Sequence, residues 1–62
     1  MKSKSEVKPG DRIHIYTMFG EPGYTDREGV VRSIDHLDQI HGSWGSLALF
    51  FDDDWEIISS ED

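Results

Sequence analysis

Lys8-Pro9-Gly10-Asp11, running straight into Arg12-Ile13-His14-Ile15-Tyr16-Thr17-Met18, is the stretch whose reading decides the fold. Pro9 presets φ for the first central position of a turn, Gly10 accepts the positive φ of a type II turn, and the Asp11 carboxylate can bond nearby amides. Behind that turn, Ile13 and Ile15 alternate with His14 and Tyr16, the period-two pattern of a half-buried strand made of β-favouring residues. No apolar residues recur at helical spacing over a sustained stretch elsewhere, so the chain reads as all-β.

Working outward, Phe19 to Glu28 carries Gly20, Pro22 and Gly23 among acids and reads as a long loop. Gly29 opens a second strand over Val30–Asp35. Val31 and Ile34 lie three apart, which strict alternation would place on opposite faces, so a bulge is expected near Arg32 and Ser33. His36-Leu37-Asp38 turns the chain into a third strand, Gln39–Trp44, and Gly45-Ser46 turns it again into a fourth, Leu47–Phe50. Asp52-Asp53-Asp54 suits the first turn of a short helical piece, and Trp55–Ile58 closes the series. Short strands joined by turns in so small a domain predict a strongly bent five-stranded barrel that removes its own edges. Its expected core is Val7, Ile13, Ile15, Val31, Ile34, Ile40, Leu47, Leu49, Trp55 and Ile57. Residues 1–6 and 59–62 are polar, offer nothing to bury, and read as a disordered lead-in and tail around a single domain over 7–58.

Composition removes several function classes. The 62 residues contain no Cys, which excludes a disulfide framework, a thiolate zinc site and a cysteine nucleophile. The formal net charge is −7, which opposes an electrostatic grip on nucleic acid or an anionic membrane. That charge is unevenly placed: residues 1–32 hold all six Lys and Arg with five acids, net +1, whereas residues 33–62 hold eight acids and no Lys or Arg, net −8. The charge predicts a soluble monomer, or an acidic patch around Asp52, Asp53, Asp54 and Glu56 that meets a basic partner. Neither a membrane-spanning run nor a secretory h-region is visible, so a cytoplasmic setting is the expectation.

Val7-Lys8-Pro9-Gly10-Asp11-Arg12-Ile13, with Glu28-Gly29-Val30-Val31-Arg32-Ser33-Ile34-Asp35, resembles the opening of SH3-like barrels of the KOW and Tudor type. Gln39-Ile40-His41-Gly42-Ser43-Trp44-Gly45-Ser46-Leu47-Ala48-Leu49, followed by Asp54-Trp55-Glu56-Ile57-Ile58, is similar to a family of short uncharacterised proteins in bacteria, their phages and mobile elements. Two departures stand out: Phe50-Phe51 occupies the place of that family's Ile-Pro, and Leu37-Asp38 stands where its turn often has Gly. The resemblance implies an SH3-like fold and no particular activity. KOW-type nucleic-acid contacts do not carry over, because this loop lacks their basic cluster.

Candidate chemistry is sparse. His36, Asp38 and His41, with His14 across a sheet, hold no compact zinc-ligand spacing, and the Asp52–Asp54 run lacks the spacing of a calcium loop. Ser43 near His41 lacks the strand-to-helix elbow of a hydrolase. No catalytic residue, metal or cofactor is therefore expected. The aromatic residues say more: Tyr16, Phe19, Tyr24, Trp44 and Phe50 exceed the needs of the expected core. Tyr24, Trp44 and Tyr16, rimmed by Glu21, Asp26 and Glu28, form the expected face for a basic or Pro-rich protein segment. Trp44 has a second reading, as a lid over the open end of the barrel. A non-enzymatic protein-binding module is thus the leading expectation. The alternatives are a KOW-like nucleic-acid or ribosome accessory protein, and an acidic decoy that mimics nucleic acid.

Overall fold

The structure, a computed structural model of the 62-residue chain, describes residues 3–60. The Pro9-Gly10 turn forms as its residues dictate: the Asp11 N–H donates to the Lys8 carbonyl at 3.1 Å and Gly10 sits at φ 99°. The fully buried Asp11 carboxylate accepts the Lys8 N–H at 3.0 Å, locking the turn from inside. Strand β1, Arg12–Thr17, leaves it, followed by β2 Arg27–Ile34, β3 Gln39–Gly42, β4 Leu49–Phe50 and β5 Asp54–Ser59.

These five strands form one antiparallel sheet in the order β4-β3-β2-β1-β5. The first half of β2 pairs with β1, Arg27 opposite Ile15 through Val30 opposite Arg12, and the second half pairs with β3, Val31 opposite Gly42 and Ile34 opposite Ile40. The expected bulge lies between Val31 and Ser33, where the register shifts. It bends β2 so that one strand serves both halves of the sheet. The expected closure does not occur: no ladder joins β4 to β5, and these two strands remain the edges of an open sheet. The β4 edge is blunted instead. The Phe50 N–H donates to the Asp53 carboxylate at 2.9 Å, and the Phe50 carbonyl accepts from the Asp53 N–H and the Trp55 indole, both at 3.0 Å. Those backbone groups are unavailable to an incoming strand.

Every strand places at least one residue in the core: Ile13 and Ile15 from β1, Val31 from β2, Ile40 from β3, Leu49 from β4, Trp55 and Ile57 from β5. Val7, Met18 and Trp44 complete it. Two expected members leave this set. Ile34 lies beyond the bulge and is only partly buried against the core. Leu47 precedes β4, outside the strand alternation; its carbonyl accepts the Trp44 indole N–H at 3.0 Å while its side chain stays 39% exposed. The expected helical piece at Asp52–Asp54 is a turn feeding β5.

At the N-terminus, Lys4–Glu6 form a 3-10 turn where a disordered lead-in was expected. The Lys4 ammonium donates to the carbonyls of Phe51 and Asp53 and lies 4.9 Å from the Trp55 ring centroid. Ser59 ends β5, and residues 1, 2, 61 and 62 of the expected lead-in and tail lie outside the described residues.

Candidate functional site

The six residues expected to form the binding face do not share one free surface. Trp44 is only 3% exposed and belongs to the core, with its indole N–H spent on Leu47. Tyr24 is covered on one face by the Arg27 guanidinium, 4.1 Å from its ring centroid, while Arg27 also donates to the Trp44 carbonyl at 2.8 Å. The chain at Gly45 presses against the same Tyr24 ring: a Cβ there would fall 2.5 Å from its hydroxyl oxygen. The cation expected from a ligand is therefore supplied by the chain itself.

Asp26 and Glu28 are likewise occupied. Glu28 stands opposite His14 across the β1–β2 ladder, and Asp26 ends the long loop in the left-handed region at φ 61°. His14 Nδ1 lies 3.0 Å from a Glu28 oxygen and Nε2 3.2 Å from an Asp26 oxygen, with Arg12 Nε 3.6 Å from the other Glu28 oxygen. A ring whose two nitrogens both face carboxylates is suited to the doubly protonated state, in which both donate. The His14 pKa is accordingly raised, first by the Glu28 hydrogen bond and then by Asp26, and the Glu28 pKa is lowered by the same His14 bond. Tyr16 packs its ring 4.6 Å from that of His14 and donates its hydroxyl to Glu56, which raises the phenol pKa.

Glu21 is the exception. It borders a groove of about 210 Å³ lined by Met18, Phe19, Leu47, Ala48 and Phe50. Phe19 is 91% exposed and Phe50 49%, an unusual placement for two aromatic rings in so small a chain. The backbone N–H groups of both residues are held by one side chain. Asp53, buried to 5% exposure, accepts the Phe19 N–H on Oδ1 at 3.0 Å and the Phe50 N–H on Oδ2 at 2.9 Å. It thereby joins the start of the β1–β2 loop to β4. Surplus aromatics were legible in the sequence, Phe19 and Phe50 among them; the role of Asp53, hidden within an acidic run, was not.

The remaining polar groups serve the fold. Asp35 accepts the N–H groups of Leu37 and Gln39 at 2.9 and 3.0 Å and meets His41 Nε2 at 3.0 Å; the His41 bond is the main cause of its lowered pKa. Ser43 Oγ accepts the Val30 N–H at 2.9 Å, so Ser43 and His41 each bond to other residues. Among the described residues, no group of three or more His, Asp or Glu side chains is placed to hold a metal, and no helix is long and apolar enough to cross a membrane. No protein family, curated protein or solved structure matches this chain.

Proposed function

We propose that the chain is a small non-enzymatic protein-binding module on an SH3-like scaffold, acting in the cytoplasm through the surface around Phe19, Leu47 and Phe50. The bent β2 shared by two halves of the sheet, with β1 between β2 and β5, supports the SH3-like reading together with the Pro9-Gly10-Asp11 turn. The observation that carries the functional reading is the pair of exposed aromatic residues whose backbone N–H groups are held by one buried carboxylate. Apolar surface kept in water while its backbone is anchored is the signature of a prepared contact, since rigid presentation lowers the ordering cost of binding. The partner is a basic or Pro-rich protein segment, because Glu21 borders the groove and the chain carries a net charge of −7. A nucleic-acid role is opposed by that same charge.

The test is a comparison of wild type with a Phe19→Ser, Phe50→Ser double variant. Partners captured by wild type from the source cell are purified and titrated into isotope-labelled domain. The reading requires chemical-shift changes centred on Phe19, Leu47 and Phe50, and loss of capture by the double variant. Identical capture by both proteins, or a shift map centred on Tyr16 and His14, overturns it.

A further inference from the structure

A second hollow lies against the first. About 310 Å³ in volume, it is lined by Leu37, Asp38, Phe50, Phe51 and Asp52, so Phe50 borders both depressions. Leu37 at its margin is 64% exposed. Acids border each side: Glu21 the first hollow, Asp38 and Asp52 the second. Among the described residues none of these carboxylates forms an ion pair, in contrast to Glu28, which faces both Arg12 and His14.

Resting on the binding-module reading, we infer that the ligand is a linear basic peptide with two apolar anchor residues, one seated on each side of Phe50. Two separate hollows, both bordered by Phe50, ask for two side chains from a continuous strip of chain. A single bulky anchor would leave one of them filled with water. The acids at both ends ask for Lys or Arg flanking the anchors, since among the described residues none of them forms an ion pair. The β4 backbone cannot recruit the peptide as an added strand, because the Phe50 N–H and carbonyl are already bonded to Asp53 and Trp55. Recognition must then reside in side chains, which makes the two anchors and the flanking charges the determinants of specificity.

The experiment selects a displayed library of random linear peptides on the wild-type domain and counter-selects on the Phe19→Ser, Phe50→Ser variant, whose fold is first verified by its amide spectrum. Enriched sequences are then synthesised with both anchors, with either anchor alone, and with Lys and Arg replaced by Gln. The expected result is enrichment of peptides carrying two apolar residues among Lys and Arg, with removal of either anchor weakening binding about ten-fold or more. A Glu21→Lys, Asp52→Lys variant loses the same peptides, and added salt weakens them in wild type. Selected peptides that need Phe19 and Phe50 but use one anchor, or bind equally after Lys and Arg are replaced, overturn the two-anchor basic ligand and leave the module standing. No enrichment dependent on Phe19 and Phe50, or a concentration-dependent dimer of the chain that occupies this face, overturns both.

Discussion

Two aromatic regions of this small protein have opposite fates. Around Trp44, Tyr24 and His14, the rings meet partners from the chain: Arg27 over the Tyr24 ring, the Leu47 carbonyl on the Trp44 indole, Glu28 and Asp26 on His14. Around Phe19 and Phe50, the partners are bonded to the backbone only, and the rings themselves are left in water. The first region is saturated and closes the fold; the second is anchored and open. Aromatic content thus does not mark a binding surface until the hydrogen bonds and covering groups of each ring are known.

The sharpest break of this contrast is Trp44→Ala. Removing a buried Trp typically costs about 3–5 kcal/mol, which is a large share of the stability of any small domain. Thermal or denaturant unfolding should show a collapse of the transition, whereas Phe19→Ala, at a 91% exposed position, should shift it by no more than about 0.5 kcal/mol. Equal effects of the two substitutions would erase the distinction between the regions.

Asp53 tests the open region from beneath. Hydrogen bonds to a charged group are worth about 1.5–3 kcal/mol, so Asp53→Leu, which strands the Phe19 and Phe50 N–H groups, should destabilise by roughly 3 kcal/mol or more. Asp53→Asn retains one acceptor oxygen and should lose about half as much. The amide signals of Phe19 and Phe50 should move together in both variants while that of His14 stays in place. Movement of only one of the two would show that they are anchored independently.

Gly45→Ala probes the closed region more gently. The residue sits at φ 155°, and its Cβ would meet the Tyr24 hydroxyl at 2.5 Å. Overpacking of this kind costs about 1–3 kcal/mol. The ring carbons Cε2 and Cζ would also lie 2.9 and 3.0 Å from that Cβ, so relief in a Gly45→Ala, Tyr24→Leu double variant measured against Tyr24→Leu alone, read by chemical denaturation, would assign the cost to the ring; no relief would assign it to the backbone.

Much of the framework is legible in the sequence, for local reasons. The type II turn at Pro9-Gly10, the alternation through Ile13 and Ile15, and the misfit between Val31 and Ile34 each follow from neighbours in sequence. What is not legible depends on contacts that no local pattern displays, most of them between residues far apart in the chain. Asp53 lies in a run of acids that reads as solvated, and only the approach of Phe19, thirty-four residues away, turns it into a buried acceptor. Leu47 looks like core by alternation, yet its backbone is turned inward to receive the Trp44 indole. Asp26 and Glu28 look like a free acidic rim because nothing local reveals that His14 faces both. Economy of edges likewise argues for closure of the sheet, whereas the edge at β4 is protected by the Asp53 and Trp55 bonds.

The smallest effect is a pH dependence carried by His14 and Glu28 in the closed region and by Asp35 outside it. His14 has an ordinary pKa of 6.5 and a raised one in the folded protein, chiefly through its Glu28 and Asp26 bonds. The folded state therefore holds the proton more tightly, and this contribution is complete below about pH 6.5 and lost as pH rises through the raised folded value. Glu28, with a lowered pKa, and Asp35, lowered mainly by His41, run the other way: their contributions are present above their ordinary values of 4.5 and 3.8 and are lost as pH falls through the depressed ones. Stability should thus decline on both sides of a plateau. His14→Gln, which keeps at most one of the two carboxylate bonds, should flatten the alkaline decline, and Asp35→Asn should reduce the acidic one. Melting temperatures of wild type and both variants across this range measure each limb separately. An alkaline limb that survives His14→Gln unchanged would mean the ring does not carry its proton between Glu28 and Asp26, and the closed region would then be held by Trp44, Tyr24 and Arg27 alone.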